Sequence, residues 1–161
     1  MDEIVEVHFL DIDENNKYID EIKKIIEVCF KEEVLIGKNL YVNIILTNPE
    51  NIKKINKQYR DIDKETDVLS FPMFEKEELE NINFGHLEVL GDIIISVEQV
   101  KRQAKEFGHG FEREFAYMIV HGFYHLMGYD HINDDDKKIM REHEEKILGK
   151  LNIKNGRNEN E

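Results

Sequence analysis

Three histidines, His121, His125 and His131, fall within the stretch HGFYHLMGYDH. His121 and His125 are four residues apart, so on a helix they share one face about one turn apart. Gly128 follows. It takes a left-handed backbone without steric cost, which ends a helix and turns the chain back. That return brings His131 toward the same point from the following loop. Three neutral imidazoles converging in this way suit a tetrahedral zinc ion with its fourth position open. One zinc ion per chain is therefore the expected cofactor. An open zinc site either polarises a substrate oxygen or lowers the pKa of a bound water to about 7.

Zinc proteases of the HExxHxxGxxH type use the same offsets for three histidines and a glycine. Their glutamate after the first histidine is the general base. Gly122 stands at that position here. The metal ligands are present and the protease base is missing, which points to a different hydrolysis or to a base supplied from another segment. Asp130 either orients a ligand imidazole or closes a turn. Asp67 and Asp92 read as turn or backbone partners. A closed structural zinc needs a fourth ligand, usually from a cysteine-rich set. With Cys29 the only cysteine and far away in sequence, His86, His109 and His143 are the candidates to close it. Zinc deaminases need a cysteine-bearing motif that one cysteine cannot supply.

The chain carries 22 basic and 35 acidic residues, a net charge of −13. That argues against broad, non-specific gripping of nucleic acid, which needs extended positive surface. The acidic runs near residues 75–80 and 134–145 read as solvated faces. Against this background Lys53, Lys57, Arg60 and Lys64 recur at helical spacing and form a basic strip suited to phosphates, if the helix runs that far.

These groups need elements to position them. Residues 3–10, 40–47, 68–71 and 87–95 have the apolar, β-branched character of strands. A helix from about Lys17 to Leu35 is capped by Asn15 or Asn16, ends at Gly37 and puts Cys29 in the core. Asn48-Pro49 starts a helix to about Arg60. Residues 73–86 read as a mobile loop. Gly91 suggests a bulge or a close backbone approach. Ser96 and Gln99 fit a capping box for a helix with Val97, Val100, Ala104 and Phe107 inward, ending at Gly108. The histidine helix runs from Phe111 to Met127 and is apolar nearly all round, which marks a buried helix. Asn133 and three aspartates open a last helix, with Ile139, Met140 and Ile147 apolar and Gly149 at its end. The order β-α-β-α-β-β-α-α-α predicts a single α+β domain over residues 1–149, with one small mixed sheet covered by helices. Residues 150–161 read as a polar, disordered C-terminal tail. The lone cysteine, the lack of about 20 consecutive apolar residues and the absence of a signal-peptide pattern favour a soluble cytosolic protein.

Three segments taken together, NKQYR through TDVLSFP (56–72), LGDI (90–93) and HGFYHLMGYDH (121–131), resemble the signature of the YbeY family of bacterial metal-dependent endoribonucleases. The resemblance covers residues 3–148 and departs at Tyr124, where the family usually has leucine. It implies a zincin-like fold, zinc held by His121, His125 and His131, and a catalytically important arginine at Arg60. It also implies a single-strand-specific endoribonuclease of 16S rRNA maturation and ribosome quality control, working in the cytoplasm. Its partners would be precursor ribosomal RNA and a small-subunit or assembly-factor protein, with no membrane. A zinc peptidase with a displaced base and a non-catalytic assembly factor with a structural zinc remain as alternatives.

Overall fold

From Leu40 to Leu46 of the strand Leu40–Thr47 burial alternates residue by residue, as in a strand whose two faces meet different environments. In the computed structural model, which describes residues 3–80, 85–130 and 132–153, this strand is second in a four-stranded sheet. The elements run β1 (Val5–Phe9), α1 (Asn16–Glu32), β2 (Leu40–Thr47), α2 (Pro49–Arg60), β3 (Val68–Pro72), α3 (Lys76–Leu79), β4 (Glu88–Ser96), α4 (Val97–Phe107), α5 (Phe111–Leu126) and α6 (Asp134–Lys150). The strand order is β1-β2-β4-β3, with β1, β2 and β4 parallel and β3 antiparallel at one edge. The described residues thus form a mixed α+β domain.

The alternation in β4 divides the core. Ile93 and Ile95 face a large cluster with Ile26 and Phe30 of α1, Phe123 of α5 and Met140 of α6. Ile94 faces the opposite side, against Ile52 of α2 and Leu69 of β3. The helix carrying the histidines and the helix carrying Arg60 therefore lie on opposite faces of one sheet. Gly91 meets both readings made of it. The register of β4 against β2 shifts beside it, and a Cβ there would come within 2.6 Å of both the Phe71 carbonyl and Leu126. Only a glycine lets β3, β4 and the end of α5 approach this closely.

Capping explains most helix starts. Asn15, Asn48, Ser96 and Asn133 each accept a backbone N–H of the first turn. The Ser96 capping box is only half formed. The Ser96 N–H donates to the Asp67 carbonyl, and the Gln99 side chain accepts from Arg102 instead.

Four helices end alike, with a residue of positive φ followed by an N–H that reaches back five positions: Val34, Gly108, Gly128 and Asn152. Val34 is the unexpected member. The expected stop of α1 at Gly37 comes earlier because Glu33 and Val34 close the helix, leaving Val34 at φ 56°. Helix α6 likewise runs past Gly149 to Lys150.

Three further expectations are corrected. Residues 76–79 of the expected loop form α3, held by reciprocal capping between Glu75 and Glu78; residues 81–84 lie outside the described residues. Lys64 is beyond the end of α2, so the basic strip stops at Arg60, and the Lys64 carbonyl accepts from Asn56. Ile139 is 46% exposed, because the buried stripe of α6 runs through Met140, Glu144, Ile147 and Leu148. Residues 154–161 of the expected tail are also outside the described residues. No helix among the described residues is long and apolar enough to cross a membrane.

Candidate active site

Helix α5 enters the core because its apolar residues surround the axis, and it carries His121 and His125 with it. Their Nε2 atoms lie 3.1 Å apart. Each ring is held from behind. The Nδ1 of His121 lies 2.8 Å from a carboxylate oxygen of Glu144, a residue of α6 that is only 5% exposed. The Nδ1 of His125 lies 3.1 Å from the Tyr129 carbonyl. That carbonyl is delivered by the end of α5. Gly128 takes φ 93°, its N–H bonds the His125 carbonyl, and the Tyr129 N–H bonds the Tyr124 carbonyl. The chain thus folds back under the second histidine.

These partners fix the tautomers. A carboxylate and a carbonyl only accept, so each Nδ1 donates, and in a neutral ring the Nε2 carries the lone pair. Two lone pairs facing each other at 3.1 Å repel unless a cation, either a metal ion or a proton shared between the rings, lies between them. Two imidazole nitrogens on one tetrahedral zinc sit about 3.3 Å apart, from Zn–N bonds of about 2.0–2.1 Å. The separation, the tautomers and the carboxylate behind one ring all fit such an ion. The third expected ligand, His131, lies outside the described residues. Among the described residues no group of three or more histidine, cysteine, aspartate or glutamate side chains is placed to hold a metal.

The other expected groups lie as follows. Asp130 closes the turn, with its carboxylate accepting from the Ile132 N–H. Asp67 accepts from the Val68 N–H, and Asp92 from the Asn43 side chain on β2. Of the candidate fourth ligands, His86 pairs with Glu88 and His109 lies against Phe107. His143 packs on Tyr124 and Tyr129, with Glu33 4.0 Å away. Tyr124 itself is fully buried and donates to Glu33 at 3.1 Å. Burial, with Glu33 beside it, raises its hydroxyl pKa, so it stays a donor. Cys29 is buried in the core as expected; burial, with Glu33 nearby, raises its thiol pKa.

Arg60 is not drawn to the histidines. It ends α2, lies over the Phe71 ring at 5.0 Å and donates to the Ser70 carbonyl of β3. Asp67 and Met73 make their backbone bonds to β4, so the alternating residues Val68, Ser70 and Pro72 direct theirs outward from the sheet. Arg60 thus caps an outward carbonyl of the edge strand, beside a proline with no N–H to offer. Phe71 and Pro72 border Gly91 and Leu126, the residue after His125. Strand β3 is therefore the structural link between the two groups.

Two positioning groups were not foreseen. The Tyr129 carbonyl leaves no mark in a sequence, since every residue has one. Glu144 does leave a signal: it is the one acid on the Met140–Glu144–Ile147–Leu148 stripe, where helical spacing places only core residues.

The model of the endoribonuclease YbeY family matches residues 6–152. A protein of Fusobacterium nucleatum described as endoribonuclease YbeY is 49% identical over 135 residues, which is 84% of this chain and 80% of that one. One of Caldicellulosiruptor bescii, described in the same way, is 46% identical over 150 residues, covering 89% and 92%. A solution structure of a Thermotoga maritima protein is 28% identical, with a TM-score of 0.59 over 91% of this chain and 92% of that one. A family match over nearly the whole chain, with relatives this similar, means that the chain belongs to the YbeY endoribonuclease family.

Proposed function

We propose that this protein is a single-strand-specific, zinc-dependent endoribonuclease of the cytoplasm. Its substrate is precursor small-subunit (16S) ribosomal RNA, in maturation and ribosome quality control. It reaches that RNA with the help of a small-subunit or assembly-factor protein, since a chain of net charge −13 grips RNA poorly by itself. The observation that carries the reading is the pair of Nε2 lone pairs facing each other at 3.1 Å in tautomers set from behind.

His121, His125 and His131 would hold the zinc, within a zincin-like arrangement of helix and sheet. When bound, zinc supplies a Lewis acid for a phosphoryl oxygen. Glu144 keeps His121 oriented and basic, and the Tyr129 carbonyl does the same for His125. Arg60 presents a fixed fork of donors at the β3 edge, suited to two oxygens of the phosphate as negative charge gathers there.

Two features count against a peptidase. A glutamate at position 122 would have to push Ile93 aside, because a Cβ there would already lie 2.9 Å from that side chain. A peptide substrate commonly adds to an exposed strand edge, and here Arg60 and Pro72 close the outward side of β3. A structural zinc needs a fourth ligand, and His86, His109 and His143 engage other groups.

The test is a pair of assays on nuclease-free protein, one with single-stranded RNA and one with a peptide library. RNA cleavage by the wild type, weakened in Arg60→Ala at unchanged zinc content, supports the proposal. Peptide cleavage without RNA cleavage, or wild-type RNA turnover in the variant, overturns it.

A further inference from the structure

The segment after α1 is held in a conformation that its sequence resists. Val34 is β-branched and sits at φ 56°, where the three helices that end in the same way carry glycine or asparagine. A left-handed β-branched residue is a steric outlier. Strain of this kind persists where the surrounding structure needs the backbone in that place. Its side chain is not held inward in return, since it is 72% exposed. What the conformation does is form the lip of an open cavity of about 410 Å³, lined by residues 33–35 and 38, by α3 and by the turn after α5.

That cavity is joined to the histidine pair through one residue. The Tyr129 carbonyl orients His125, and the rest of Tyr129 lines the cavity. The Lys76 ammonium lies 4.3 Å from the centre of the Tyr129 ring. A Cβ on Gly128 would meet Lys76 at 2.7 Å, so α3 and the turn are in direct contact. The lining divides by chemistry. Leu35, Leu79, Met127 and Tyr129 offer apolar surface, and Lys38 and Lys76 bring positive charge. Glu33 and Glu80 add carboxylate acceptors. The volume falls within the range of small-ligand sites.

An apolar ring with hydrogen-bonding edges and an attached phosphate matches that division. We propose that this cavity seats one unpaired nucleotide of the RNA strand, next to the phosphate presented to the histidines. The base packs on the apolar wall, its N–H groups face the carboxylates, and its phosphate faces Lys38 and Lys76. Single-stranded RNA is commonly read by splaying out a base in this manner. The proposal rests on the RNA reading above, and its test does not use RNA cleavage.

The methyl resonances of Met127 and Val34 are followed by NMR while adenosine 5′-monophosphate is titrated into the full chain. Ribose 5-phosphate and inorganic phosphate serve as controls for the phosphate alone. The expected result is a saturable shift with the nucleotide and binding about ten-fold weaker for ribose 5-phosphate, the scale of burying roughly 50 Å² of apolar base surface. Leu79→Glu should weaken nucleotide binding at least about ten-fold. Lys38→Glu, at a residue outside the core, should do the same without disturbing the fold. Equal affinity for nucleotide and ribose 5-phosphate, no shift at Met127, or wild-type binding in Lys38→Glu would overturn the proposal. RNA cleavage without nucleotide binding removes the subsite and leaves the nuclease reading standing. Nucleotide binding without RNA cleavage does the reverse.

Discussion

His121 and His125 rise from a helix buried on nearly every side, and a second group locks each ring from behind. Arg60 ends a helix on the opposite face of the sheet, is itself exposed, and rests on one carbonyl and one aromatic ring. The contrast fits what each group would do in the proposed site. Metal ligands must hold fixed distances and stay deprotonated, which a packed core enforces. A guanidinium is charged at any accessible pH and forms its fork without help. It needs only to be delivered to an edge that substrate can reach. Damage at the first region should therefore appear in metal binding and stability, and damage at the second in turnover alone.

The largest expected effect is at the histidines. His125→Ala should leave the purified protein without stoichiometric zinc by elemental analysis, and without RNA cleavage. Full zinc occupancy in that variant would remove His125 from the ligand set. Next comes Arg60→Ala, which should lower the cleavage rate by about 10²–10³, the usual effect of one preorganised donor. Zinc content should be unchanged, and stability within about 0.5 kcal/mol, as for other surface changes. Arg60→Lys should recover little, because an ammonium cannot reproduce the fork. A thermal midpoint that fell with the rate would erase the contrast between the two regions.

Glu144→Gln sharpens the comparison from the other side. It keeps an acceptor for His121 but removes the charge, so zinc affinity in a chelator competition should fall about 10–100-fold. Gly122→Ala probes the packing that carries the histidines. Its Cβ would meet Ile93 at 2.9 Å. Denaturant unfolding should show a loss of about 1–3 kcal/mol, as for other overpacked sites. The smallest effect should come from Val34→Gly, which relieves left-handed strain at an exposed side chain. It should raise stability by about 1 kcal/mol, the strain released less the added freedom of the unfolded chain.

The site was legible in the sequence where it is local. A four-residue spacing on an apolar helix, a glycine after it and asparagine caps each act within a few residues, and the structure bears them out at Asn15, Asn48, Gly128 and Asn133. What was illegible depends on partners far away in the chain. Glu144 is separated from His121 by 23 residues and lay within an acidic run that looked solvated. Asp130, adjacent to a histidine in sequence, accepts from the Ile132 N–H of the turn, a partner the sequence does not single out. The strand order that puts β3 at an edge, and so sets what Arg60 touches, is a property of the assembled sheet. Val34 ends α1 against its own preference, and no local rule anticipates a β-branched residue there.

The central claim is that the facing imidazoles hold a metal on which RNA cleavage depends. The most direct measurement is the cleavage of a single-stranded RNA by metal-stripped protein, before and after one equivalent of zinc is returned. Activity that disappears on stripping and returns with zinc is the predicted result. Cleavage by the stripped protein at the untreated rate would contradict the account.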